Sequence, residues 1–363
     1  MERKDFKKNM KNWLKNITRY RGENFSRSRY LRLDKNERVI NFPNYFLKLV
    51  KKKISSYDLS AYPDIERIYK LLSKLLKIPK EMIVLTTGSD IAIKTCFELF
   101  TEKNKKIITI TPTFGMIDVY SKLYNLKQIK INYKRDLTLD TPKLLKSLNK
   151  NISLVIIANP NSPTGTIIEK KILINLIKKM NSLNVPILLD EAYFGFYNNT
   201  YIKYVKKYKN LIIARTFSKS FGLAGIRMGY LVANTNVAKN LYKYKPMYEI
   251  NSIGCLILEI ILKNKKILND HINQIKLGKK YFIQELNKMK IEHLKTYGNF
   301  IHINLGKKIN NFESLLKKNG ILVRKGPGVT GYENFQRITL GSKEQMQKLV
   351  VILKKYFNNN KKK

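Results

Sequence analysis

The chain has 363 residues, 44% of them hydrophobic, with 71 Lys and Arg against 26 Asp and Glu for a formal net charge of +45. That apolar content excludes a solvated tail and gives enough length for a large domain with a smaller companion. Lysines run along the whole chain instead of forming one basic arm, so the charge alone does not define a nucleic-acid or membrane partner.

The N-terminal stretch MERKDFKKNMKNW is charged and lacks the apolar core of a signal peptide, and no apolar run nears the roughly 18 residues of a membrane span. Cys96 and Cys255 form neither a CxxC pair nor a disulfide framework, a usage that points to a reducing compartment, the cytoplasm. From about residue 80 to 235 one grammar repeats: a short run of Ile, Val and Leu, a turn, then a segment with helical spacing. The runs Met82 to Leu85, Ile107 to Ile110, Leu154 to Ala158, Ile187 to Leu189 and Leu211 to Ala214 are predicted strands. Such strands alternating with helices predict an α/β fold with a mostly parallel sheet covered on both faces, where ligands sit beyond the carboxyl ends of the strands. Polar or Gly-rich segments follow each run: Thr87-Gly88-Ser89-Asp90, Thr111 to Gly115, Asn159 to Gly165, Asp190 to Tyr193, and Arg215 to Lys219. Past residue 265 a long Lys-rich helical stretch precedes predicted strands at Phe300 to Asn304, Ile321 to Arg324 and Gln336 to Leu340, with a helix near Phe312 to Lys318. The expected division is a large domain over 41–265 and a smaller α+β domain over 266–363, joined by an N-terminal arm over 1–40.

Lys219 follows an apolar strand directly, sits between Ser218 and Ser220, and precedes a flexible loop ending in Arg227. This suits a Schiff-base amine beside a phosphate, because desolvation lowers an amine's pKa and frees the nucleophile. Taken alone, a solvated loop lysine fits as well. Asp190 places a carboxylate at the end of the apolar run Ile187 to Leu189, where an unpaired charge is costly. A protonated pyridine nitrogen would supply the missing cation; a carboxylate that only caps a following helix is the other reading. Gly88, Ser89 and Asp90 open a helical segment whose backbone N–H groups could bind a phosphate. Phe114 could lay its ring on a flat cofactor. No cluster of metal-ligand type stands out.

Together these residues resemble the fold-type I, pyridoxal-phosphate-dependent aminotransferases of class I and II, and among them the histidinol-phosphate aminotransferase-like group. The resemblance spans nearly the whole chain: Tyr62-Pro63-Asp64, Gly88-Ser89-Asp90, Pro112 to Met116, Asn159 to Gly165, Asp190 to Tyr193, Ser218-Lys219 with Gly225-Ile226-Arg227, and Arg337 to Gly341. It implies a seven-stranded sheet and pyridoxal 5'-phosphate held by Lys219, which also carries protons. It implies Asp190 on the ring nitrogen, Tyr193 donating to the ring hydroxyl, and Phe114 stacked on the ring. Ser89, Asp90, Thr216, Ser218 and Arg227 would surround the phosphate, and Tyr62 would reach the phosphate of a neighbouring subunit, implying a homodimer with shared sites. Arg337 would clamp the substrate carboxylate. The chain departs from the family where Asn usually precedes Pro-Thr-Gly: Ser162 stands there, with Asn161 one residue earlier. Either residue would then serve the ring hydroxyl.

At the distal end of the substrate, Arg324 lines up with an arginine that meets a phosphate in histidinol-phosphate aminotransferases, and Tyr20 lies near the N-terminal segment that closes over substrate there. The expected reaction is transfer of an amino group from a donor such as glutamate to a carbonyl substrate, one that could carry a phosphate or phosphonate. A decarboxylase of the threonine-phosphate type uses the same motifs and is the alternative. A cofactor-free basic protein that binds nucleic acid is the alternative of another class.

Overall fold

The computed structural model describes residues 11–17, 22, 24–306 and 309–361. Its strands are β1 Leu31–Arg32, β2 Ile83–Thr86, β3 Lys106–Thr111, β4 Lys127–Asn132, β5 Ile152–Ala158, β6 Ile187–Asp190, β7 Leu211–Thr216, β8 Gly229–Val232, β9 Phe300–Asn304, β10 Ile321–Leu322, β11 Arg324–Lys325 and β12 Phe335–Thr339. Its α-helices are α1 Asn44–Lys53, α2 Ser56–Ser60, α3 Glu66–Leu76, α4 Gly88–Phe100, α5 Met116–Leu123, α6 Thr141–Ser147, α7 Lys170–Ser182, α8 Thr235–Tyr244, α9 Ser252–Lys263, α10 Lys265–Lys288, α11 Ile309–Lys318 and α12 Lys343–Lys361.

Seven strands form one sheet in the order β2-β8-β7-β6-β5-β3-β4, parallel throughout except for β8, which runs against both neighbours. The apolar runs are continuous because both faces are covered. Along β5, Val155 and Ile157 enter the core on one side while Leu154 and Ile156 enter the core on the other. Helix α7 supplies Leu173, Leu176, Ile177 and Met180 to the first core at helical spacing, and α4 supplies Ala92, Ile93, Cys96 and Phe97 to the second. Cys96 and Cys255 are both buried and belong to these two different cores, so they cannot pair.

A third core joins Leu33 to Ile275, Phe282, Ile301, Ile338 and Leu353, against which α10 and α12 pack. Its strands form the antiparallel sheet β11-β12-β9 and the short parallel pair β1-β10. No helix among the described residues is long and apolar enough to cross a membrane.

Candidate active site

The carboxyl ends of β2, β6 and β7 open on one crevice, with the start of β8 between β2 and β7. Asp190 is the last residue of β6, hydrogen-bonded in register between Ala158 and Ala214 and only 5% exposed. Its Oδ1 accepts one bond, from the Ala192 N–H at 3.0 Å, and burial pushes its pKa up to about 7. No helix begins here; the bond closes a turn, so helix capping does not account for the carboxylate. Lys219 lies three residues beyond β7, half-buried, with Nζ donating to the carbonyls of Lys35 at 3.0 Å and Asn36 at 3.1 Å. The same Nζ is 5.9 Å from the ring centre of the buried Tyr193.

Beside this pair the backbone forms an anion cradle. Helix α4 starts at Gly88, which has φ +77°, and a Cβ there would lie 2.9 Å from Arg227 Nη2. Gly229 is paired with Thr86 on one side and Thr216 on the other. A Cβ on it would fall 2.8 Å from the Ser89 nitrogen, so glycine is what lets β8 begin against the helix start. The amides of this helix start and the Arg227 guanidinium therefore meet, as a phosphate requires, with Thr216 beside them through its pairing to Gly229; Ser218 is buried two residues further on. Thr216 Oγ1 also accepts the Ser218 N–H at 3.1 Å, and the Asp90 carboxylate accepts from the Tyr120 hydroxyl at 2.8 Å.

Phe114, in the loop after β3, is 38% exposed. Asn161 is fully buried and its amide is spent tying its loop to the one after β3: Nδ2 donates to Pro112 O and Thr164 Oγ1, and Oδ1 accepts from Thr113. Ser162 is half-buried with no hydrogen-bond partner for its hydroxyl among the described residues. Tyr62 does not join this chain's own cradle; it is 69% exposed and stacks on Tyr248 with ring centres 3.9 Å apart. Arg337 on β12 is buried, donates Nη2 to Asp34 O at 2.7 Å, and leaves Nε without a partner. It sits in register between Arg324 on β11 and His302 on β9. Burial holds the His302 pKa down to about 3, so that neighbour is neutral, and burial and then Arg324 lower the pKa of Arg337. Tyr20 lies outside the described residues.

Two features escaped the sequence reading. Asp34, Lys35 and Asn36 reach across the crevice to Arg337, Lys219 and Tyr193, the last through Asn36 Nδ2 at 2.8 Å from the phenol oxygen. Behind the site, Arg215 and Glu191 form a buried ion pair at 2.8 Å, with the guanidinium 3.5 Å above the Phe194 ring and the carboxylate also bonded by Thr200 and Tyr201. Only the position of Glu191, next to Asp190, hinted at the second.

A buried carboxylate with no ion-pair partner among the described residues, an amine held by carbonyls and a cradle for a dianion match, group for group, the ring nitrogen, aldehyde and phosphate of pyridoxal phosphate, so the residues fit that cofactor. The class defined by this fold and site is the pyridoxal-phosphate enzymes. The family described as aminotransferase class I and II matches residues 34–353. A histidinol-phosphate aminotransferase of Clostridium novyi (strain NT) is 33% identical over 330 residues, 89% of this chain and 91% of that protein. The crystal structure of the histidinol-phosphate aminotransferase from Clostridium acetobutylicum is 26% identical with a TM-score of 0.81, covering 91% of this chain and 99% of that one. The Sinorhizobium meliloti histidinol-phosphate aminotransferase, solved with pyridoxal 5'-phosphate, shares the fold at a TM-score of 0.81 and 22% identity, over 90% of this chain and 91% of that one. The chain belongs to the class I and II aminotransferase family and is a pyridoxal-phosphate-dependent transaminase.

Proposed function

We propose that the enzyme moves an amino group between glutamate and a carbonyl compound carrying a second anion, a phosphate or phosphonate, with the histidinol-phosphate pair as the first candidate. The observation that carries this is the direct opposition of Arg324 and Arg337 across β11 and β12, which sets two cations side by side on the edge strand and the central strand of the small sheet. Like charges so placed repel, and an anion at each would relieve it. The names of the relatives support the same substrate class.

Pyridoxal phosphate, when bound, supplies an electrophilic carbon for the amine and a ring that takes up the electron pair left at the substrate α-carbon. Lys219 holds the cofactor and then carries the proton between the α-carbon and the cofactor's C4′. Asp190 keeps the ring nitrogen protonated. Tyr193 donates to the ring hydroxyl, and Ser162 is the neighbour with a side chain to spare for it, since the Asn161 amide is taken up by Pro112, Thr113 and Thr164. Phe114 covers the ring, while Gly88, Ser89, Asp90, Thr216, Ser218 and Arg227 hold the phosphate. Arg337 takes the α-carboxylate.

Arg337→Ala is expected to slow the glutamate half-reaction, where a bidentate pair is lost. Arg324→Ala should weaken the acceptor half-reaction more than the donor one, by about 1.5 to 3 kcal/mol for a charged hydrogen bond. Single-turnover spectra of each half-reaction read both. If Arg324→Ala changes neither for any phosphorylated or phosphonate acceptor, the enzyme is a general amino-acid transaminase; carbon dioxide release without the glutamate-driven spectral change would identify the decarboxylase.

In this reading 41–265 is the larger domain and 266–363 the smaller, with 1–40 an N-terminal arm that is in part added to the smaller one, supported by the core that Leu33 shares with Ile275 to Leu353. The protein works in the cytoplasm as a homodimer whose Tyr62 serves the partner's phosphate. Exposed Tyr57, Leu59, Tyr62, Met247 and Tyr248 crowd into two adjoining segments, which supports a covered face there. Sedimentation should give a dimer, and Leu59→Glu should weaken association at least about tenfold, or 1.4 kcal/mol. An unchanged monomer in both proteins would overturn the shared-site arrangement.

A further inference from the structure

Asn36 is 2% exposed and takes a left-handed φ of +54°, which brings its side chain and its carbonyl into the crevice together. Its backbone N–H donates to Thr339 Oγ1 at 3.0 Å, and Thr339 Oγ1 also lies 3.1 Å from Asn36 Oδ1. A backbone N–H can only donate, so the threonine oxygen accepts there. Thr339 is fully buried, and Asn36 Oδ1 is the only acceptor its hydroxyl proton has among the described residues. Turning the amide over would leave that proton without a partner in the protein interior, at a penalty of about 1 to 3 kcal/mol. The amide orientation is therefore fixed by proton counting, not by convention. Nδ2 is left facing the Tyr193 phenol oxygen at 2.8 Å and can only donate to it.

We infer that Asn36 is a positioning residue that makes Tyr193 an obligate donor: by occupying a lone pair of the phenol oxygen, its amide leaves the phenol proton only the crevice to point into. Thr339 is the lock. The inference rests on the assignment of Tyr193 to the ring hydroxyl of the cofactor, and it adds a one-way relay from β12 through the N-terminal segment to that hydroxyl. The charged groups around Tyr193 are Lys219, 5.9 Å from its ring centre, and Arg337, which interacts with it electrostatically; the Phe300 ring meets it edge-on. Arg337 is a donor only, Phe300 offers no oxygen or nitrogen, and Lys219 is engaged by the cofactor in the holoenzyme, so none competes with the ring hydroxyl for the phenol proton.

The test is a spectrophotometric pH titration of the bound chromophore in the holoenzyme, with cofactor retention measured alongside. A hydrogen bond donated to the ring oxygen favours its ionised form and holds the chromophore's apparent pKa down. Asn36→Gly keeps the left-handed backbone and removes the amide. It should raise that pKa by about 0.5 to 1 unit, the equivalent of one neutral hydrogen bond. Thr339→Val unlocks the amide without touching Tyr193 and should give a smaller rise in the same direction. Tyr193→Phe should raise it at least as much as Asn36→Gly, and adding Asn36→Gly to Tyr193→Phe should raise it no further. If Tyr193→Phe shifts the titration but Asn36→Gly and Thr339→Val do not, the relay is wrong while the assignment of Tyr193 stands. If Asn36→Gly shifts it equally with or without the phenol, Asn36 does not act through Tyr193 and the inference falls. If Tyr193→Phe itself shifts nothing, the assignment fails first and takes the relay with it. Should Asn36→Gly not fold, Thr339→Val alone decides the question.

Discussion

Lys219→Ala is expected to leave a folded protein that binds pyridoxal phosphate without a covalent link and turns over at least about four orders of magnitude more slowly, roughly 5.5 kcal/mol. Two roles are lost with one side chain: the amine that holds the cofactor and the base that moves the proton. Folding should tolerate the change, because the Lys219 side chain is half-buried and its two bonds run to the carbonyls of Lys35 and Asn36 at the crevice wall. In the unaltered enzyme, borohydride should fix the chromophore to one peptide, the one containing Lys219. With so many lysines on the surface, the selectivity is the test: an adduct on another lysine would overturn the assignment of the whole motif.

How far the sequence carried depends on how local each signal was. β5, β6 and β7 were legible because they are buried on both faces and therefore read as unbroken apolar runs. β4, KQIKIN, was passed over: it lies at the sheet edge and alternates lysine or polar residues with isoleucine, as edge strands do. β8 was missed because four residues directly after a Gly-rich loop give too short a pattern. The strand expected from Ile321 to Arg324 divides at Val323, since Ile321 and Leu322 pair with β1 while Arg324 and Lys325 pair with β12. That break is what lays Arg324 against Arg337, and only the sheet register could show it. Asn36 was invisible for a similar reason: its partners Tyr193 and Thr339 are 157 and 303 residues away, and nothing near it in the chain marks it. Lys219 and Asp190, by contrast, stand at the ends of strong apolar runs, where a charged residue is conspicuous in the sequence itself.

For Asp190, the expected result has two parts that share one cause. Its carboxylate is buried at the end of β6 with a single hydrogen bond, and burial raises its pKa to about 7 from an ordinary 3.8. In the cofactor-free protein the folded state therefore holds this proton more tightly than the unfolded chain does. Stability from this group is fully present below about pH 4 and is lost as pH rises towards 7, following the sign of proton linkage. Asp190→Asn should flatten that part of the melting-temperature profile, and Asp190→Ala should fold without difficulty, having shed a charge the interior disfavours. Saturating cofactor supplies a cation beside the carboxylate, so in the unaltered enzyme the loss between pH 4 and 7 should shrink or reverse. Catalysis moves the opposite way. Without the carboxylate the ring nitrogen loses its proton at neutral pH and the ring draws electrons less strongly, so Asp190→Ala at saturating cofactor should cost at least about three orders of magnitude in rate, roughly 4 kcal/mol. Near-normal turnover in that variant would mean that Asp190 does not face the ring nitrogen. A pH profile of apo-protein stability unchanged by Asp190→Asn would show instead that the carboxylate is ionised and solvated in the folded state, and the argument from its burial would fail.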